Sequence, residues 1–119
     1  MSKERLELGA LGEQEARMFL EKKGYIFVAQ NHRSVLGEID LIMEKDGKII
    51  FVEVKTGNTK DNFSPLYRVG YTKQKKLLML GEEYLGQFRE PKAAQFDVVC
   101  IEKEAFDTKI SHYQNVIHP

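Results

Sequence analysis

The sequence predicts a single α/β domain, built as one mixed β-sheet of about five strands with helices packed on it. Two stretches with helical spacing, Leu6 to Lys23 and Thr72 to Leu85, each run up to a glycine, Gly24 and Gly86. Two stretches rich in β-formers, Glu38 to Glu44 and Ile49 to Lys55, flank the turn signal Asp46-Gly47. Two more such stretches, Ala94 to Glu102 and Lys109 to Ile117, close the chain. The order helix, three strands, helix, two strands is that of a mixed α/β sheet.

The first helix carries Gly9, Gly12, Ala16, Phe19 and Leu20 on or near one face. Glycine inside a helix costs roughly 1 kcal/mol against alanine, so a small stripe here points to close approach of another backbone. Gly24 suits a left-handed stop. Tyr25 to Gln30 reads as a strand and Asn31 to Leu36 as a polar connection. Asp46-Gly47 favours a type I′ hairpin, which needs positive φ at both central residues. Thr56 to Pro65 reads as a loop, and Thr72 as the N-cap of the second helix.

At 119 residues the chain is long enough for one core and too short for two, giving a single domain over 1–119. Hydrophobic residues make up 42% and charged residues 30%, ordinary for a globular protein. The longest apolar runs are a few residues, too short to span a membrane. The charged start, Met1 to Glu7, lacks a signal-peptide core, and a single cysteine, Cys100, fits a reducing compartment. A cytoplasmic location is expected. Eighteen basic side chains balance 18 acidic ones. That balance argues against broad, non-specific coating of DNA, which usually needs a basic surface. It leaves a nuclease open, since clustered carboxylates cancel basic residues elsewhere.

The hairpin brings the chemistry together. With Asp46 and Gly47 as the turn, paired positions sum to 93, so Asp40 faces Glu53 and Glu38 faces Lys55. Alternation puts all four on one face with Ile42 and Phe51. Directly opposed carboxylates repel, and burial strengthens the repulsion. Lys55 supplies part of the compensation and a divalent metal could supply more. Magnesium favours one or two carboxylates, waters and phosphate oxygens, and polarises a phosphodiester. Lys55 would then position the attacking water or stabilise transition-state charge.

Gly37-Glu38-Ile39-Asp40-Leu41-Ile42 followed by Phe51-Val52-Glu53-Val54-Lys55-Thr56 resembles the YraN-like family of predicted endonucleases. That family is similar to archaeal Holliday junction resolvases of the PD-(D/E)XK superfamily, which implies a restriction-endonuclease-like core. The resemblance spans nearly the whole chain: Gly12-Glu13 with Ala16 and Leu20, Gly24-Tyr25, Asn31 and Arg33, Lys73, and Phe96-Asp97-Val98-Val99. It implies metal ligation by Asp40, Glu53 and the Val54 carbonyl, with Lys55 as the catalytic lysine. Glu13 becomes the helix glutamate near the metal. The chain departs from the family's habit at Gly57, at Ser64 after Phe63, and at Gln95, all outside the Asp, Glu and Lys core.

The expected activity is therefore hydrolysis of DNA phosphodiesters with Mg2+ or Mn2+, on branched or otherwise structured DNA. The alternative is a non-catalytic nucleic-acid or protein-binding module on the same scaffold. Lys73, Lys75 and Lys76, with Arg68 nearby and Arg33 in the connection, are candidates for phosphate contact. Tyr67 and Tyr71 interleave with this cluster, but packing is their expected role. A homodimer would follow from the resemblance to resolvases, although no dimer patch is legible. Glu38 could be a fourth acidic member of the site, but reads rather as an ion-pair partner of Lys55 or a support for the metal ligands, with a solvated strand residue as the alternative. Cys100 reads as a packed thiol and Asp97 as a structural carboxylate bonding a nearby loop or helix. His32, His112 and His118 show no metal-ligand spacing and read as ordinary polar residues.

Overall fold

The computed structural model of the chain describes residues 3–58 and 69–119. Among them lie seven elements: α1 (Lys3–Lys22), β1 (Ile26–Ser34), β2 (Gly37–Lys45), β3 (Lys48–Asn58), α2 (Tyr71–Leu85), β4 (Ala94–Lys103) and β5 (Thr108–Tyr113). The five strands form one sheet in the order β1-β2-β3-β4-β5. Only β3 and β4, joined through α2, run parallel; the other three pairs are antiparallel. The fold is α/β and consistent with a restriction-endonuclease-like core.

Each face of the sheet buries its own cluster. On one side Ala16 and Leu20 of α1 pack with Leu41, Met43, Ile50, Val52, Val99 and Ile101. On the other, Leu77 and Leu80 of α2 pack with Ile42, Phe51, Val98 and Cys100. Adjacent residues of β3 thus serve opposite faces, as a strand buried on both sides requires. Cys100 is packed in the α2-side cluster, as expected.

The hairpin forms in the expected register: Leu41 pairs with Val52, Ile42 with Phe51 and Lys45 with Lys48. Asp46 and Gly47 both take positive φ, 52° and 77°. Gly24 is left-handed at 92°. Gly12 is the close approach that the small stripe suggested, though to a side chain: a Cβ there would collide with the Thr56 hydroxyl of β3. Gly9 has open space around it and makes no such contact.

Several boundaries differ from expectation. The polar run Asn31 to Ser34 continues β1, pairing His32 with Ile39, Arg33 with Glu38 and Ser34 with Gly37. On an edge strand polar side chains can face water while the backbone still pairs, so hydropathy hid this half. β3 extends through Thr56 to Asn58 instead of breaking into a loop. The remainder of the expected loop, with Phe63, Ser64, Tyr67 and Arg68, lies outside the described residues. Gly70, not Thr72, precedes α2, and it caps without a side-chain bond. β5 stops at Tyr113 rather than reaching Ile117, because Asn115 turns at φ 53° and donates its N–H to Asp97 Oδ1 at 3.0 Å. Asp97 is fully buried and also takes His112 Nε2 at 2.7 Å. The structural role expected of Asp97 holds. His112, however, is no ordinary polar residue, being buried on Asp97 and edge-on to Phe19 and Tyr25.

Candidate active site

The site lies where β2 and β3 part company. Their ladder ends at Leu41–Val52. Continued in register, the Val54 N–H would meet Ile39, two pairs farther on, since hydrogen-bonded pairs alternate. Instead the Asp40 carboxylate accepts it, Oδ2 lying 2.8 Å from the Val54 nitrogen. Alternation also breaks here: Leu41 joins the α1-side cluster, but Ile39 joins the α2-side one. Asp40 is thereby fixed by the backbone of the strand that carries Glu53 and Lys55.

Glu53 is only 4% exposed. Its Oε1 faces two ammonium groups, Lys73 at 3.2 Å from the first turn of α2 and Lys55 at 3.9 Å. Its Oε2 is buried and, among the described residues, has no hydrogen-bond partner. Asp40 is close enough for a proton to be shared with Glu53. With both groups ionised, that proton is missing and like charges face each other in a desolvated place. Burial first, and then Glu53, push the Asp40 carboxyl up to about 7, although the Val54 N–H and Lys73 pull the other way.

A second acidic group shares Asp40. Glu13 of α1, Glu38 and Asp40 each bring one carboxylate oxygen within 4.8 Å of the others. Burial, followed by the Asp40 and Glu38 charges, raises Glu13 to about 7. With its amide nitrogen turned toward these carboxylates, the orientation that satisfies both ends, Asn31 lies 3.0 Å from Glu13 Oε2 and 2.6 Å from Glu38 Oε1. Asn31 takes φ 52° in β1, between the pairs Gln30–Leu41 and His32–Ile39 that bracket Asp40.

The expected ion pair between Glu38 and Lys55 does not form. Glu38 instead pairs with Arg33, directly across β1 and β2, at 3.3 Å. Lys55 turns to Glu53, and its ammonium is lowered by burial and by the neighbouring Lys73. Burial also opposes charge on Lys73, but Glu53 and Asp40 outweigh it and raise that group. Beside the carboxylates opens a cavity of about 460 Å³, lined by Leu36, Glu38, Asp40, Lys73 and Lys76 among others.

Glu13, Asp40, Glu53, Val54 and Lys55 are thus gathered in one place, and Lys73 joins them as a partner of Glu53. Lys76 lines the cavity, Arg33 sits on its Glu38 side, and Lys75 lies apart over the Tyr71 ring at 4.6 Å. Sequence reasoning missed the use of Lys73 and Asn31 inside the site. One signal was present for Lys73: a cation in the first turn of a helix opposes the helix dipole, so it needs an outside reason. The donor set suits a hard divalent cation, with carboxylate oxygens in excess and one buried oxygen lacking any partner.

Residues 12–101 match the sequence profile described as uncharacterised protein family UPF0102. The chain belongs to this family, the YraN-like group. A UPF0102 protein of Thermodesulfovibrio yellowstonii is 37% identical over 111 residues, covering 93% of this chain and 96% of its own. One from Treponema pallidum is 37% identical over 117 residues, 94% of this chain and 93% of its own. One from Symbiobacterium thermophilum is 42% identical over 96 residues, 80% of this chain and 81% of its own. The UPF0102 match runs from Gly12 at the Thr56 contact to Ile101 within β4, so it takes in every carboxylate and lysine of the site. Among the described residues no helix is long and apolar enough to cross a membrane.

Proposed function

We propose that this UPF0102 protein is a metal-dependent endonuclease that hydrolyses DNA phosphodiesters, with branched or structured DNA as its substrate class. The observation that carries the reading is the buried Glu53 carboxylate, set beside Asp40, with one oxygen that has no partner among the described residues when both groups are ionised. A structural carboxylate so deeply buried is ordinarily bonded at both oxygens. Functional sites are where such conflict is retained.

Asp40, Glu53 and the Val54 carbonyl would hold the ion, with Glu13 reaching it directly or through water. Magnesium or manganese, when bound, polarises the phosphodiester and makes water a better nucleophile. The protein's own part is positioning and charge. The Val54 N–H fixes Asp40 through Oδ2. Lys55, a better proton donor than an exposed lysine because its ammonium is lowered, donates to charge developing on the phosphate. Arg33 and Asn31 hold Glu38 and Glu13 in place, so the acidic groups do not splay apart.

The test is cleavage of linear, flap and four-way DNA, with manganese and with chelator. Metal-dependent cutting is expected, strongest on branched DNA. It should fall about a thousandfold in Asp40→Asn and in Lys55→Ala, the loss of several kcal/mol of transition-state stabilisation. Metal-independent cutting, or wild-type rates in either variant, would overturn the reading.

A further inference from the structure

We propose that Lys73 holds the cation's place at Glu53 in the metal-free protein, and leaves it for a phosphate group in the adjoining cavity when a divalent cation is bound. This rests on the metal-dependent reading above.

Glu53 Oε1 has two lysines competing for it. The nearer by 0.7 Å is Lys73, at 3.2 Å against 3.9 Å for Lys55. Yet Lys73 is the more exposed of the two, 45% against 21%. Lys55 is held by its own strand next to Glu53, whereas Lys73 reaches over from another element on a long flexible stem. The two ammonium groups also crowd each other, since both address the same Glu53 oxygen. Lys73 stands in the first turn of α2, and that turn contains no acidic residue. The positive end of a helix is an unfavourable place for a cation, so Glu53 is what holds it.

These contacts make Lys73 a removable counter-ion. A divalent charge shared by Asp40 and Glu53 would satisfy Glu53 and repel the Lys73 ammonium at short range. The direction open to that ammonium is the cavity of about 460 Å³, which Lys73 and Lys76 line together. They are three residues apart on α2, so both side chains lie on one helix face. An anionic phosphate ester entering there would meet two ammonium groups within reach of the carboxylates. The cation and Lys73 therefore compete for Glu53, while the cation and a phosphate group assist each other.

The experiment is manganese binding, followed by calorimetry or by the electron-spin signal of the free ion, in wild type, Lys73→Met, Lys76→Met and Glu53→Gln. Alongside it, fluorescence anisotropy follows a labelled four-way DNA in calcium and in chelator. Lys73→Met should bind manganese about fivefold more tightly, the scale of losing one partly exposed ion-pair competitor. The same variant should lose most of the calcium-induced gain in DNA affinity. Lys76→Met should bind manganese as wild type does. If manganese binds wild type and is lost in Glu53→Gln, but Lys73→Met binds no more tightly, the exchange is refuted and the metal site stands. If wild type binds no manganese at all, the metal-dependent reading itself falls and the exchange with it.

Discussion

Asp40→Asn separates a functional cluster from a satisfied structural one. The asparagine keeps an oxygen for the Val54 N–H and removes a charge that faces Glu53, Glu13 and Glu38. In metal-free protein the Asp40 carboxyl is raised from 3.8 to about 7. The folded state therefore keeps a proton through a range where the unfolded chain has lost it. The stability due to this proton is complete below the unfolded value near 4 and is lost as pH rises through about 7. A rise of that size is worth up to ~4 kcal/mol at about 1.4 kcal/mol per tenfold. Because Glu53 and Glu13 share the same repulsion, about 2 kcal/mol is expected from one substitution.

Urea melts in chelator should thus find Asp40→Asn level with wild type near about pH 4.5 and more stable by about 2 kcal/mol near about pH 8.5. In saturating manganese the order reverses, since a ligand at 100 times its Kd adds about 2.7 kcal/mol to the protein that binds it. A variant that is less stable than wild type at alkaline pH in chelator would refute the reasoning. So would a gap that does not change with pH. Either result would make Asp40 a satisfied carboxylate whose charge the fold needs.

Glu53→Gln should be closer to neutral than Asp40→Asn in chelator, within about 1 kcal/mol of wild type, because relief from Asp40 is offset by freeing two lysines to repel each other. A loss of several kcal/mol in the same melts would recast Glu53 as a structural partner of Lys73. Asp97→Ala should behave in the opposite way, losing about 3 kcal/mol with or without metal. It strands His112 and the Asn115 N–H while leaving manganese affinity unchanged.

What was legible in the sequence was what the hairpin makes local. Asp46-Gly47 fixes the turn, and the turn fixes the sum of paired positions as far as Leu41–Val52, where the ladder ends one pair short of Asp40 and Glu53; Asp40 meets β3 through the Val54 N–H instead. Lys55 follows from alternation alone. What was not legible arrives through the crossover and the edges. Lys73 reaches Glu53 only because α2 packs on the β3 and β4 face, and no local pattern encodes that reach. Arg33 takes Glu38 because β1 continues through residues whose polarity reads as loop. His112 is buried because Asp97, fifteen residues earlier, needs a partner once β4 is central in the sheet.

These two kinds of contact divide the labour at the site. The local, hairpin-encoded part supplies Asp40, Glu53 and Lys55 and leaves the two carboxylates in conflict: they face each other, and among the described residues one Glu53 oxygen has no partner while both are ionised. The long-range part adds the cations Arg33 and Lys73 to the local Lys55, but incompletely. Arg33 is committed to Glu38 at the rim, and Lys55 and Lys73 both address the same Glu53 oxygen. Had the fold needed only to neutralise these carboxylates, one lysine on each would cost less than two on one. The ladder's early end at Leu41–Val52 points the same way, because a sheet built for stability alone would carry the Val54 N–H to a backbone carbonyl. Giving that donor to Asp40 ties the carboxylate to the β3 backbone beside Glu53. A preorganised ligand set with an unmet demand for positive charge is what a phosphodiester-cleaving metal site requires before its ion arrives.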